Sequence, residues 1–289
     1  MVVGASLVAS EILLRRHVVP NDPYEIARRA FHTGVTPFAA FGDSRVESGI
    51  VGGDEIANFG TPSDSLETVL GKTAAWLARN PSGRAVIALP PQQFSAQRLG
   101  ADQRALLQDF VSGDAATLQV LRPNHRRYLL EYVNAIATDP GILWRPSGIP
   151  EQTATQFMSF AEKPAQTQQS EAERRIQHHT PIRGFADSKP ARTLGQTLAR
   201  LNKAGGGICL ITMPVSDAYR RAASLAPGFS ESRKFFRGIA EAENLTYIDL
   251  WDDYPDTLFY DPDHLLPSGA AIVTPDIIKR CFGDTGAVS

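Results

Sequence analysis

The chain has 289 residues, 43% of them apolar and 21% charged, an ordinary globular composition with enough length for one sizeable core. Its 29 basic and 31 acidic residues leave a formal charge of -2, which removes the usual reason to expect nucleic acid or a strongly anionic membrane as partner. The two cysteines, Cys209 and Cys281, form no C-x-x-C pair and have no metal-ligand spacing. Cys209, inside an apolar run, reads as a small buried hydrophobe, and two cysteines so far apart in sequence imply neither a disulfide nor a compartment.

Residues 1–10 are apolar and are followed by Glu11 and the pair Arg15-Arg16. This run falls short of the ~20 apolar residues needed to cross a bilayer, and it lacks the basic lead of a signal peptide. Residues 1–34 are therefore expected to form a helix. It is either the trailing end of a truncated membrane anchor or an amphipathic helix docked on the domain that follows, 35–289.

Within that domain, five short apolar runs read as buried strands: 38–41, 55–59, 84–89, 207–212 and 245–250. Apolar residues recur at helical spacing over 65–77 and over 230–242, where Phe235, Phe236 and Ile239 share a face. Strands alternating with helices predict a parallel sheet covered on both sides. The right-handed crossover rule then restricts it to a flavodoxin-like winding, with ligands outside the carboxyl ends of the strands. Gly205-Gly206-Gly207 precedes its strand and reads as a helix-ending turn.

The third and fourth runs are separated by far more chain than a βαβ crossover needs, so residues 101–190 are expected to be a helical and polar insertion. Leu106, Leu107, Phe110, Leu118, Leu121, Tyr128, Leu129, Tyr132 and Val133 form its apolar stripe, and Trp144 follows in a Pro/Gly-punctuated stretch. Residues 151–179 are polar, either an exposed helix or a mobile segment. The insertion is a lid over the site or a solvent-exposed decoration.

Ser44 lies in Gly42-Asp43-Ser44-Arg45, just past the first apolar run, and Asp261-Pro262-Asp263-His264 follows the last. Serine, then aspartate, then histidine in chain order suits a serine nucleophile on an open α/β sheet. Serine needs a base to remove its proton, histidine accepts and returns one near neutral pH, and a carboxylate fixes the histidine tautomer. Asp261 and His264, three apart in a turn, could point to one spot. The bland alternative for Ser44 is a helix N-cap.

These residues resemble the SGNH (GDSL-type) hydrolase superfamily. Gly42-Asp43-Ser44 is similar to its nucleophile block and Asn58-Phe59-Gly60 to its glycine block. Asp261-x-x-His264-Leu265-x-x-x-Gly269 is similar to its acid/base block. The resemblance implies a three-layer αβα sandwich and ester or acyl-transfer chemistry, with Ser44 as nucleophile, His264 as base and Asp261 orienting it. The family's oxyanion-binding asparagine has no counterpart after the third strand. There, Pro90-Pro91-Gln92-Gln93-Phe94 resembles the Ser-Pro-Gln-x-Phe segment of the branch containing the D-alanyl transfer protein of teichoic acid modification, a membrane-anchored envelope branch.

The expected oxyanion donors are the backbone N–H groups of Ser44 and Gly60 and the side chain of Gln92, with Gln93 in reserve. Gly60 could instead be a turn glycine and Gln92 a surface residue. Asn58 reads as turn-forming. Arg45 reads as solvent-facing, Asp263 as solvated, and His178-His179 as an exposed pair without metal-site context. The expected function is ester hydrolysis or O-acyl transfer on acylated envelope glycans, with no cofactor or metal. The site would be extracytoplasmic and membrane-associated through the N-terminus, with a cytoplasmic enzyme as the alternative. A catalytically inert carbohydrate- or partner-binding module is the rival reading, and an intracellular lipid esterase a third.

Overall fold

The computed structural model describes residues 22–112 and 158–283, together with residues 8, 10–12 and 14–18. Residues 1–7, 9, 13 and 19–21 of the expected anchor region lie outside the described residues, and so do Leu118, Leu121, Tyr128, Leu129, Tyr132, Val133 and Trp144 of the insertion. Among the described residues, no helix is long and apolar enough to cross a membrane.

All five expected runs are strands: β1 Phe38–Phe41, β2 Ile56–Asn58, β3 Arg84–Ala88, β4 Gly207–Thr212 and β5 Thr246–Asp249. They form one parallel sheet in the order β2-β1-β3-β4-β5, the flavodoxin-like winding. Neighbouring side chains on a strand point to opposite faces. Phe38, Ala40, Val86, Ala88, Cys209 and Ile211 therefore build one core, and Ala39, Phe41, Ala85, Ile87, Ile208 and Leu210 build the other. Both faces are dry, which is why the strands read as continuous apolar runs instead of alternating ones.

The second core is covered by α1 (Pro23–Thr33), α3 (Leu66–Arg79), α5 (Arg104–Ser112), α7 (Lys189–Lys203) and α9 (Phe229–Ala242). A short helix, α4 (Ala96–Leu99), precedes α5. The first core is covered by α2 (Ser44–Gly49), α6 (Ala165–His179), α8 (Asp217–Ser224) and α10 (Pro267–Phe282). The result is the expected three-layer αβα sandwich.

Helix boundaries follow capping chemistry. Ser65 accepts from Thr68 N at the start of α3, and the apolar spacing through Leu66, Val69, Leu70, Trp76 and Leu77 turns one face to the sheet. Gly205, at φ 82°, provides the left-handed turn after α7.

The structure decides two points that the sequence leaves open. Cys209 and Cys281 are joined in a disulfide, with Cα atoms 5.6 Å apart, tying β4 to α10. Seventy-two residues separate them, and only the return of α10 across the sheet makes them neighbours. Of the polar stretch, Ala165–His179 takes the helical alternative as α6, anchored by buried Ala172 and Ile176 and packed on α8. Its few apolar residues are spaced four apart, enough for one narrow buried stripe.

Candidate active site

The strands end at one edge, and the loops beyond them bring Ser44 and His264 together from 220 residues apart. Ser44 Oγ lies 2.8 Å from His264 Nε2, and His264 Nδ1 lies 2.8 Å from Asp261 Oδ2. A carboxylate only accepts, so Nδ1 carries the proton and Nε2 is left to accept from the serine hydroxyl. Asp261 Oδ1 also accepts from the backbone N–H groups of Asp263 and His264, both at 2.9 Å. That tight turn fixes the carboxylate under the imidazole. The Tyr260 ring stacks on the His264 ring, 5.6 Å between centroids.

Asp43, not Ser44, is the N-cap of α2. Its Oδ1 accepts from Arg45 N at 3.1 Å, leaving Ser44 at the first helical position with its hydroxyl free for His264. Asp43 Oδ2 accepts from Gln92 Nε2 at 3.0 Å and from Arg98 at 3.4 Å. Gln92 is thus brought to the serine, with one amide hydrogen committed to Asp43, and its buried Oε1 has no partner among the described residues. Gln93 instead turns away, donating to the Asp64 carbonyl at 3.0 Å.

Gly60 is placed differently from the expectation. Its N–H donates to Asn58 Oδ1 at 2.9 Å, and the Asn58 amide donates to the carbonyls of Val46, Glu47 and Ile50. A Cβ on Gly60 would sit 2.5 Å from Glu47 N, so glycine here permits close approach to α2. It is Ser63, three residues on, that lines the same cavity as Ser44, in a left-handed conformation at φ 68°. Among the described residues, the N–H groups of Ser44 and Ser63 take no hydrogen-bond partner. The Ser63 loop rests on a buried pair. Lys72 Nζ donates to Asp64 at 2.7 Å and Thr61 at 2.8 Å, and lies 3.9 Å from the centre of the Phe110 ring. Burial pushes the Asp64 carboxyl up and the Lys72 ammonium down, and their mutual attraction opposes both shifts.

Three residues expected at the surface pack behind the serine and histidine, Arg45 and Asp263 buried and His179 partly so. Arg45 and Asp263 have side chains only 1% exposed, and Nε and Nη2 of Arg45 donate to Asp263 Oδ2 at 3.0 and 2.9 Å. Arg45 Nη2 also donates to the Tyr219 hydroxyl at 2.9 Å, which in turn lies 2.9 Å from His179 Nδ1. His179 is pushed down to about 3 by burial, with Arg45 and Arg175 adding to the effect, so its ring is neutral; its Nδ1 faces the Arg45 donor at 3.5 Å and accepts from the Tyr219 hydroxyl. From α6, Arg175 contacts Asp261 Oδ2 at 2.6 Å and Asp263 Oδ1 at 3.0 Å. Of the histidine pair, only His178 is exposed.

These charges act on the histidine. Burial pushes His264 down, but the Asp263 charge and the hydrogen bond and charge of Asp261 outweigh it and hold His264 above its ordinary value. Burial would raise Asp263; Arg45, His264, His179 and Arg175 hold it well below the usual carboxylate range. Ligand-type atoms of Asp261, Asp263 and His264 lie within 4.8 Å of one another, a spacing compatible with a cation. The guanidinium groups of Arg45 and Arg175 already balance these carboxylates.

Ser44, Ser63, Gln92, Arg98, Arg175 and His264 line a polar cavity of about 280 Å³. A second cavity of about 440 Å³ adjoins it at Arg98, with Leu66, Leu70 and Leu99 in its walls.

No protein-family model matches the chain, and no curated protein matches it. Among solved structures, it is similar to the lipase/acylhydrolase from Enterococcus faecalis, at 15% identity and a TM-score of 0.41 over 85% of this chain and 97% of that one. It is also similar to a catalytic mutant of an acetylxylan esterase from Geobacillus stearothermophilus, at 12% identity and a TM-score of 0.41 over 86% and 94% of the two chains. Neither assigns a role to any residue here.

Proposed function

We propose that the chain is a serine-dependent esterase or O-acyltransferase of short acyl esters, working through an acyl-enzyme on Ser44. The observation that carries this reading is the run of short contacts from Ser44 Oγ through His264 to Asp261 at the carboxyl edge of a parallel sheet. The resemblance of these blocks to the SGNH hydrolases points the same way.

In this reading, Ser44 Oγ attacks the ester carbonyl carbon while its proton passes to His264 Nε2. The imidazolium, held by Asp261, then protonates the departing alcohol as the C–O bond breaks. Water or a sugar hydroxyl attacks the acyl-enzyme, giving its proton to His264, and Ser44 is regenerated. The Ser44 and Ser63 N–H groups and the second amide hydrogen of Gln92 are the donors available for the oxyanion, and Gly60 supports α2 instead. Removing one such donor costs about 2.7–4 kcal/mol of transition-state stabilisation in a well-studied protease.

The small polar cavity favours a short acyl group over a fatty chain, and the larger cavity beyond Arg98 has room for the rest of the substrate. An acylated envelope glycan fits that division. The Cys209–Cys281 disulfide supports an oxidising, extracytoplasmic setting, to which the N-terminal segment would anchor the domain. Arg175, His178 and His179 all come from the 101–190 insertion, which supports its role as one wall of the site.

The test is p-nitrophenyl acetate turnover by wild type, Ser44→Ala and His264→Ala, with and without a soluble oligosaccharide acceptor. Loss in both variants is expected, and an acetylated acceptor would decide for transfer over hydrolysis. A folded wild type that neither turns over nor reacts with a fluorophosphonate would overturn the reading in favour of the binding module.

A further inference from the structure

Arg45 follows the proposed nucleophile and Asp263 precedes the proposed base, and the two are joined by the most buried ion pair in contact with the site. Each is one peptide unit from a reacting side chain, so the pair links the start of α2 directly to the turn carrying His264. Stability alone does not account for it. Buried ion pairs commonly do no better than well-packed apolar replacements, because desolvation offsets the attraction. Here that cost is incomplete in its return, since Arg45 Nη1 is buried with no hydrogen-bond partner among the described residues. The pair also has an electrical outlet: Asp263 Oδ1 lies 3.6 Å from His264 Nδ1, making it a second carboxylate beside the imidazole.

We propose that Arg45 and Asp263 are positioning residues for the proton transfer, their ion pair setting the Ser44–His264 contact while Arg45 limits how strongly Asp263 acts on the imidazole. This rests on the esterase reading. Asp261 orients the ring by direct hydrogen bonding at 2.8 Å; Asp263, fixed by Arg45, acts through its charge and through the chain. Other charged and titratable groups facing this region are Asp43 and Arg98 near the serine, Arg175, His178 and His179 from α6, Tyr219 from α8, and Tyr260 above the ring. They keep their own identities in the variants below, but Arg45→Met also takes a donor from Tyr219 and a positive charge from beside His179, so their response is part of what that variant reads.

The experiment pairs the pH dependence of kcat/KM with an NMR titration of His264 in wild type, Asp263→Asn, Arg45→Met and Arg45→Lys. Asp263→Asn removes a negative charge and should move the His264 midpoint and the acidic limb to lower pH by about one unit. Arg45→Met leaves Asp263 less compensated and should move both to higher pH. Arg45→Lys keeps the charge but not the fork, so the midpoint should return toward wild type. Its kcat should still fall about 100-fold, as expected for a small misplacement of reacting groups, with KM little changed. A purely structural pair would lower the melting temperature and leave the His264 midpoint unmoved in every variant, and that result would overturn the proposal. If Asp263→Asn does not fold, the opposition between Arg45→Met and Arg45→Lys carries the same decision. The titration needs no turnover, so an inert wild type would count against the esterase reading alone.

Discussion

Arg175 reaches Asp261 across 2.6 Å, meeting the same carboxylate oxygen that faces His264 Nδ1 at 2.8 Å. The guanidinium therefore competes with the imidazole for one negative charge. Its presence lowers the His264 proton affinity that the two aspartates raise.

In the proposed mechanism His264 must be neutral to accept the Ser44 proton, so activity is expected to fall as pH drops through the His264 pKa. That pKa is held above 6.5, so the acidic limb of kcat/KM for p-nitrophenyl acetate should lie above pH 6.5. Arg175→Ala removes the competing charge and should move the limb to still higher pH. A limb that moved downward in this variant would contradict the assigned electrostatics.

Gly60→Ala should act at a distance on the serine. The new Cβ would lie 2.5 Å from Glu47 N and 2.8 Å from Val46 Cβ, so α2 must shift. Overpacking of this kind costs about 1–3 kcal/mol. Urea denaturation should register that loss, and turnover should fall because Ser44 begins the displaced helix.

Removing the Cys209–Cys281 bridge tests stability separately from chemistry. For a loop of 72 residues, the chain-entropy argument gives about 4 kcal/mol. The Cys209→Ala/Cys281→Ala variant should unfold at markedly lower urea concentration than the oxidised protein. Its fluorophosphonate labelling at Ser44 under folding conditions should be unchanged.

Lys72→Met would strand the Asp64 carboxylate beneath the Ser63 loop, and breaking a buried pair by removing one partner costs about 3–5 kcal/mol. The double variant Lys72→Met/Asp64→Leu should recover most of that stability. Calorimetry on the two variants would reveal whether the second substitution rescues the first.

The sheet was legible because parallel strands covered on both faces must be continuously apolar, and 38–41 and 207–212 are. Ser44, Asp261 and His264 were legible as short local patterns. Arg45, Asp263 and His179 were not, because charged or imidazole side chains are ordinarily solvated and their pairing spans 218 residues for Arg45 and Asp263. Adjacency to Ser44 and His264 was the available signal. The disulfide had no spacing rule to betray it. Ser63 carries no such signal, because a serine at positive φ looks like any other serine in sequence, although Thr61-Pro62-Ser63-Asp64 is turn-forming composition.

The sequence separation of 220 between Ser44 and His264 also constrains when the site comes into being. The histidine turn follows the last strand, so during synthesis Ser44 emerges long before His264, and no amino-terminal folding intermediate can hold the pair. Such long-range closure is slow relative to local helix formation. Catalytic competence would therefore be a late event in folding, and the gain of fluorophosphonate reactivity could time completion of the whole sheet.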